Sequence, residues 1–415
     1  MTPPTFASAS RAGSRGGHAV RRGRFLAMAA VLFTACAGGT AGQPSASPGG
    51  PIKIGMVTSL TGNYTPLGTG NKQGAQLVVD QVNARGGING RKLELVMLDD
   101  GTNPNQTITH VNTLNDQAVV ALLGPPQSTA DLAIKPIVNQ LKLPTVALGA
   151  ADQQTVPVTP YMWQTALLSS QVARGVLSYL QQQGKGKIAM LTDTANAYAV
   201  SGHDATRNAL GGYGVTLVDD ESFETATTNF APLIAKVVAA RPDVVLFWGT
   251  GSPPVVFTKQ WAAASTGLPL MMTAAEATPL YTSAVGPAGE GVYVQAVMAD
   301  LGQSLPTANR YRRIVDSYAV PFQQAYNSYP AQFSWDAIIA MMFLVDAIKR
   351  KGASREEIRA GLDSINLETP NGHYSFSPSR HNGFPDTGVV ISIIRNGQFT
   401  QAPGVSDAQL QKAGQ

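Results

Sequence analysis

The alternation of short β-branched runs with stretches of helical period limits this chain's possible folds more than any other feature. Residues 52–58, 92–98, 119–123 and 145–148 read as strands, and residues 70–84, 104–116 and 129–141 as helices. Strands separated by helices at this spacing cannot pair as hairpins. Each helix instead carries the chain back to a parallel sheet and covers one of its faces. The pattern restarts after Met162-Trp163-Gln164-Thr165. Helices at 169–183, 200–210, 229–240 and 254–264 then alternate with strands at 187–192, 215–221, 244–248, 270–273 and 291–295. The expected class is α/β, with two doubly wound lobes. Long amphipathic helices at 307–326 and 334–351 are expected to return to the first lobe, and strands at 373–376 and 388–395 to close the second.

One crossover stands out as a candidate site. The apolar run ending at Leu123 meets Gly124-Pro125-Pro126, and the next helix opens with Ser128 at or near its N-cap. Free backbone N–H groups and the positive end of the dipole would accept an anion there, a carboxylate for example, without a lysine or arginine. Ser128 could equally do no more than cap its own helix.

The N-terminus explains a misleading charge. Residues 1–35 contain Arg11, Arg15, Arg21, Arg22 and Arg24 and no acid. Without them the 30 basic residues fall to 25 against 26 acidic, a net charge of −1. No basic run remains to follow a phosphate backbone, so nucleic acid is not an expected partner. These residues have the parts of an export signal: an Arg-rich start, an apolar stretch from 25 to 35, and small residues before a cleavage point. The apolar stretch is shorter than the roughly 20 residues a membrane span needs. The single cysteine, Cys36, follows Phe33-Thr34-Ala35 directly, which resembles the lipobox of bacterial lipoproteins with Phe33 in place of the usual leucine. The resemblance implies a signal peptide over 1–35, lipidation of Cys36 and a flexible Gly/Ser/Pro tether over 36–51. A plain secretory signal with an incidental cysteine is the competing reading.

Enzymatic signatures are weak. Gly68-Thr69-Gly70-Asn71-Lys72-Gln73-Gly74 lies between a strand and a helix, but its spacing is one residue too long for a dinucleotide fingerprint and it begins too far from the strand. Asp99-Asp100 reads as a solvated turn. The five histidines have no metal-ligand spacing, no Gly-x-Ser-x-Gly elbow occurs, and Cys36 is the only thiol. No cofactor or metal is expected.

Ile52-Lys53-Ile54-Gly55, Leu60-Thr61-Gly62, the run from Asn83 to Arg91 (NARGGINGR) and Leu98-Asp99-Asp100 together resemble the opening of leucine/isoleucine/valine-type solute-binding proteins of ABC importers. The likeness continues through Gly124 to Ser128, Ile188-Ala189, Phe230, Pro242-Asp243-Val244-Val245 and Gly291. It implies a type I periplasmic-binding-protein fold, two Rossmann-like lobes joined by three crossovers with the solute between them. The implied lobes are 52–165 with about 297–372, and 166–296 with about 373–400, followed by a tail over 401–415. The implied function is capture of an amino acid or related small carboxylate or amide, without chemistry, for delivery to ABC permease and ATPase subunits in the membrane. A ligand sensor of the same fold is the alternative.

The resemblance also assigns site residues. Ser128 would receive the solute carboxylate. Gly149 would supply a backbone acceptor, with Ala150 beside it, and Ala151 occupies a position where the family usually has a hydroxyl. In the second lobe Glu276 aligns with the acid that pairs with an ammonium, though an exposed helix-cap Glu is the alternative, and Tyr198 would cover the solute. Tyr64 lies near a customary aromatic position whose strict match is Leu67. Trp248 could line the pocket or belong to the core.

Overall fold

A computed structural model describes residues 49–413. The expected signal peptide, Cys36 and nearly all of the expected tether lie outside the described residues. The first lobe is built from β1 (Ile52–Thr58), α1 (Thr65–Ala84), β2 (Leu93–Asp99), α2 (Pro104–Asp116), β3 (Ala121–Leu123), α3 (Ser128–Gln140), β4 (Thr145–Ala147) and β5 (Met162–Gln164). Its sheet runs β2-β1-β3-β4-β5, every pair parallel. The second lobe continues with α4 (Ser169–Gln182), β6 (Lys187–Asp193), α5 (Ala197–Ala209), β7 (Thr216–Phe223), α6 (Ala231–Ala239), β8 (Val244–Trp248), α7 (Pro253–Ala264), β9 (Leu270–Met272), α8 (Pro279–Val285) and β10 (Tyr293–Ala296). Here the parallel strands run β7-β6-β8-β9-β10, the same order shifted by five strands.

The remaining elements are α9 (Met298–Leu301), α10 (Arg312–Tyr326), α11 (Gln332–Lys351), α12 (Arg355–Leu362), β11 (Asn366–Thr369), β12 (Gly372–Ser375), β13 (Val390–Arg395), β14 (Gln398–Gln401) and α13 (Asp407–Lys412). β13 pairs antiparallel with β10 and β14 with β13, extending the second sheet. Among the described residues no helix is long and apolar enough to cross a membrane.

Burial on both faces explains why the central strands are continuous apolar runs. All five residues of β8 are buried, as are all but Lys187 in β6. Each leucine, isoleucine or valine so placed contributes about 1.5–3 kcal/mol. α4 buries one stripe, Val172, Ala173, Val176, Leu177 and Leu180, at the i, i+4 spacing that its sequence predicts.

The structure corrects four expectations. First, α1 begins at Thr65, with Pro66 in its first turn, so Gly68, Gly70 and Gly74 lie inside a helix. A β-carbon on Gly68 would stand 1.9 Å from the Ser59 carbonyl oxygen, and one on Gly74 2.3 Å from that of Ser334 in α11. These glycines are close-approach points between helix, loop and helix. Second, β12 pairs only with β11 and does not join the second sheet. Its Tyr374 packs on Phe343 of α11 at 5.0 Å and donates to the Thr165 carbonyl at 2.7 Å, bracing a crossover between the lobes. Third, the expected tail carries α13, whose Leu410 is buried. Fourth, Asp100 is buried and structural. It accepts from the Ser59 hydroxyl (2.7 Å), the Thr102 N–H (2.9 Å) and the Thr107 hydroxyl (2.9 Å).

Candidate functional site

Both sheets reverse direction of growth beside their first strand, between β1 and β3 in one lobe and between β6 and β8 in the other. At such switch points neighbouring crossovers leave on opposite faces and open a crevice beyond the carboxyl ends of the strands. The two crevices face each other. The loops that follow β1, β3, β6 and β8, with the helix starts they lead into, supply Tyr64, Gln127, Ser128, Asn196, Tyr198 and Thr250 to one inter-lobe cavity. Gly149 and Ala150 after β4, Ala274 and Ala275 after β9, and Gln332, Phe333 and Asp336 of α11 complete much of the wall.

The turn after β3 needs its glycine, because Gly124 adopts φ +85° and a β-carbon there would meet the Val57 carbonyl at 2.4 Å. Beyond it, Gln127 is the N-cap of α3 and Ser128 its first helical residue. Ser128 therefore does not cap its own helix. Its Oγ accepts two backbone N–H groups from the loop after β4, those of Ala150 (2.9 Å) and Ala151 (3.0 Å). With both lone pairs occupied, the hydroxyl has only its proton left to offer. In the first turn of α3 the Ala130 and Asp131 N–H groups donate to the Gln127 carbonyl, and those of Ser128 and Thr129 precede the first intrahelical bond, so donors of two kinds meet at this point.

The loop is held from behind by groups that the sequence alone does not single out. Asp131, buried one turn into α3, accepts from the Gly149 N–H at 2.9 Å and from Gln154 Nε2 at 2.8 Å, while Gln154 Oε1 accepts from the Ala151 N–H at 2.7 Å. Burial raises the Asp131 carboxyl well above the usual carboxylate range, and the Gly149 N–H only partly opposes that.

In the second lobe, Tyr198 sits edge-on to Trp248, ring centroids 5.4 Å apart at 67°. Trp248 is wholly buried and does not line the cavity. It fills space left by Gly202, where a β-carbon would fall 2.2 Å from the indole, and so fixes the ring that does face the cavity. Burial pushes the Tyr198 hydroxyl up, Thr273 and the Ala274 backbone only partly oppose that, and the hydroxyl makes no well-formed hydrogen bond. Gln127 Nε2, Thr250 Oγ1, Gln332 Oε1 and Asp336 Oδ1 are likewise buried without partners.

Of the residues expected in the site, Tyr64, Ser128, Gly149, Ala150 and Tyr198 meet in this cavity, and Leu67 joins Tyr64 there. Ala151 is behind the wall, contributing its N–H to Ser128 and Gln154. Glu276 faces an adjoining inter-lobe chamber that shares Leu67, Ala275 and Phe333 with the first. It is buried, not an exposed helix cap, and accepts from the Thr273 hydroxyl at 3.4 Å. Burial lifts its carboxyl well above the ordinary glutamate range. Among the described residues no group of three histidine, cysteine or acidic side chains could hold a metal.

The lobes touch across the cleft. Asn196 Nδ2 donates to the Tyr64 hydroxyl (3.2 Å), the Ala197 N–H to the Thr129 hydroxyl (3.3 Å), the Asp152 N–H to the Ser201 hydroxyl (3.2 Å) and the Gln332 N–H to the Ala277 carbonyl (3.2 Å). This is a closed arrangement.

Known proteins share this architecture. A family model described as periplasmic binding protein matches residues 51–397. A Leu/Ile/Val-binding protein of Rhizobium johnstonii is 27% identical over 48% of this chain and 54% of its own length. The match thus spans about half of that relative. A leucine-, isoleucine-, valine-, threonine- and alanine-binding protein of Pseudomonas aeruginosa is 22% identical over 78% of the chain and 85% of its own. Among solved structures, a solute-binding protein of an ABC transporter from R. palustris in complex with benzoate has TM-score 0.74 at 22% identity, covering 84% of this chain and 95% of that one. A branched-chain amino acid transporter substrate-binding protein from Streptococcus pneumoniae in complex with isoleucine has TM-score 0.75 at 21% identity, covering 84% and 97%. Two lobes of one strand order, closed over a cavity at their paired switch points, and a family match running nearly from the first strand to the last lead to one conclusion: this chain belongs to the periplasmic binding proteins, with Leu/Ile/Val-binding proteins among its relatives.

Proposed function

We propose that the chain is the extracytoplasmic solute-binding component of an ABC importer. It closes on a small carboxylate-bearing solute, an amino acid or a related carboxylate or amide, and presents the closed form to permease and ATPase subunits in the membrane. Cys36 would tether it there through attached lipid. The observation that carries this reading is Ser128, whose two accepted N–H bonds leave it a pure donor at an open helix N-terminus. The relatives agree in chemistry, since isoleucine and benzoate, the ligands of two structural neighbours, share a carboxylate.

Solute grips both lobes, so it binds the closed form better than the open one and shifts the hinge equilibrium. A thermal-shift screen across amino acids, amides and aromatic acids, followed by calorimetry, tests the reading. Ser128→Ala should weaken the best carboxylate about 10- to 100-fold, the loss of one charge-assisted bond of about 1.5–3 kcal/mol. Equal affinity of wild type and variant would refute the carboxylate assignment. Tyr64→Phe removes only a bond that exists when the lobes meet. It should lower affinity about two- to tenfold, with wild-type thermal stability in the absence of solute. A drop in solute-free stability with affinity unchanged would assign that bond to the fold, not to closure.

A further inference from the structure

The cavity wall contributed by α11 differs in chemistry from the rest. Among the described residues lining the cavity there is one carboxyl, Asp336, and no lysine, arginine or histidine. Asp336 stands one helical turn after Gln332, so the two side chains share a face. They are 2% and 3% exposed, and both line the cavity. Gln332 Oε1 and Asp336 Oδ1 have no hydrogen-bond partner, which a buried acceptor tolerates only at a cost in stability. The turn that bears them is fixed from both sides. The Phe333 carbonyl accepts from Asn71 Nδ2 of α1 at 2.7 Å, and the Gln332 N–H donates to Ala277 in the other lobe. Two residues with unpartnered acceptors thus line the same cavity as Ser128, which offers a donor.

We propose that Gln332 and Asp336 form a second polar subsite, which accepts hydrogen bonds from an ammonium or amide nitrogen of the solute. The inference rests on the solute-capture reading and narrows it, from any small carboxylate to one that also carries a nitrogen donor. It moves the nitrogen-recognising acid from the second lobe to the first, because Glu276 faces the adjoining chamber with Thr273 as its donor. Burial raises the Asp336 carboxyl to about 8, against the effect of Gln332. The titratable groups coupled to it are Asp300 of α9 and Tyr374 of β12, and neither supplies a positive charge. An ammonium entering the subsite therefore pairs with a carboxyl that must first give up its proton to solvent, and binding at pH 7 releases that proton.

Calorimetry with matched probes separates the outcomes. The pairs are L-isoleucine with 3-methylpentanoate, and 4-aminobenzoate and 4-carbamoylbenzoate with benzoate, each titrated into wild type, Asp336→Asn, Gln332→Ala and Glu276→Gln at pH 7 in phosphate and in imidazole buffer. The expected result is that the tightest wild-type probe carries the nitrogen and loses at least tenfold in Asp336→Asn. Gln332→Ala should lose a few-fold, and affinity for the matched carboxylate should stay within about twofold in both. If that probe is L-isoleucine, wild type should also release a proton that Asp336→Asn does not. Tightest binding of a probe without nitrogen would overturn the subsite, as would loss of nitrogen discrimination in Glu276→Gln but not in Asp336→Asn. If no probe binds wild type, the solute-capture reading itself fails for these classes and the subsite falls with it.

Discussion

Raising the pH from 5 to 8 is expected to destabilise the solute-free protein by about 3–4 kcal/mol through Asp336 alone, read as a falling free energy of unfolding in urea. In the unfolded chain this carboxyl titrates near 3.8, and in the folded protein burial lifts it to about 8. A group raised in this way contributes its full stability below the unfolded value, and that contribution is lost as pH climbs toward the folded one. Burial also lifts Asp131, Glu276 and Asp300 well above the carboxylate range, so each acts in the same direction. Asp99, Glu356, Glu357 and Asp386 are held low by hydrogen bonds and ion pairs. Their contributions have the opposite sign, but they are essentially in place by pH 5 and do not offset the decline above it. Asp336→Asn should flatten the profile in proportion. Stability that rises or stays level between pH 5 and 8 would mean that these acids are ionised and solvated in the folded state.

The parts of the molecule governed by local period were legible in the sequence. β8 was readable to the residue, and α2 as well, because an apolar run between turn signals and a proline in the first turn are local events. Ser128 was readable for the same reason, as the residue that opens the helix after a Gly-Pro-Pro stop. The partners of Ser128 were not, because its two donors come from the next crossover, 22 and 23 residues on. The roles of Asp131 and Gln154 are not legible either, since a carboxylate early in a helix ordinarily satisfies the dipole and faces water. The sheet that β12 joins is not legible, because short strands carry no information about which edge they join. Asp336 does carry a signal in the sequence: it is one acid within Trp335-Asp336-Ala337-Ile338-Ile339-Ala340-Met341, a helix apolar on nearly every side and hence buried. An ionisable residue in such a run has to face either a partner or a cavity.

Gly149→Ala should abolish solute binding, with at least a hundredfold loss of affinity in calorimetry, and lower the free energy of unfolding by about 2–4 kcal/mol. The added β-carbon would lie 2.5 Å from Asp131 Oδ2, 2.7 Å from Ser128 Oγ and 2.8 Å from the Ser128 backbone nitrogen. The first two are side-chain atoms, but Asp131 is held by Gln154 and Ser128 by two N–H bonds, and the third belongs to the opening turn of α3. Relief therefore has to come from the loop moving away from the helix, which breaks the bonds that aim the Ser128 proton into the cavity. Combining Gly149→Ala with Ser128→Ala removes one of the three clashes and also the group being aimed. The double variant should thus bind no worse than Gly149→Ala and unfold at a free energy above the additive sum. Strict additivity, or a Gly149→Ala protein that binds like wild type, would show that the loop after β4 is loosely held and that Ser128 does not depend on it.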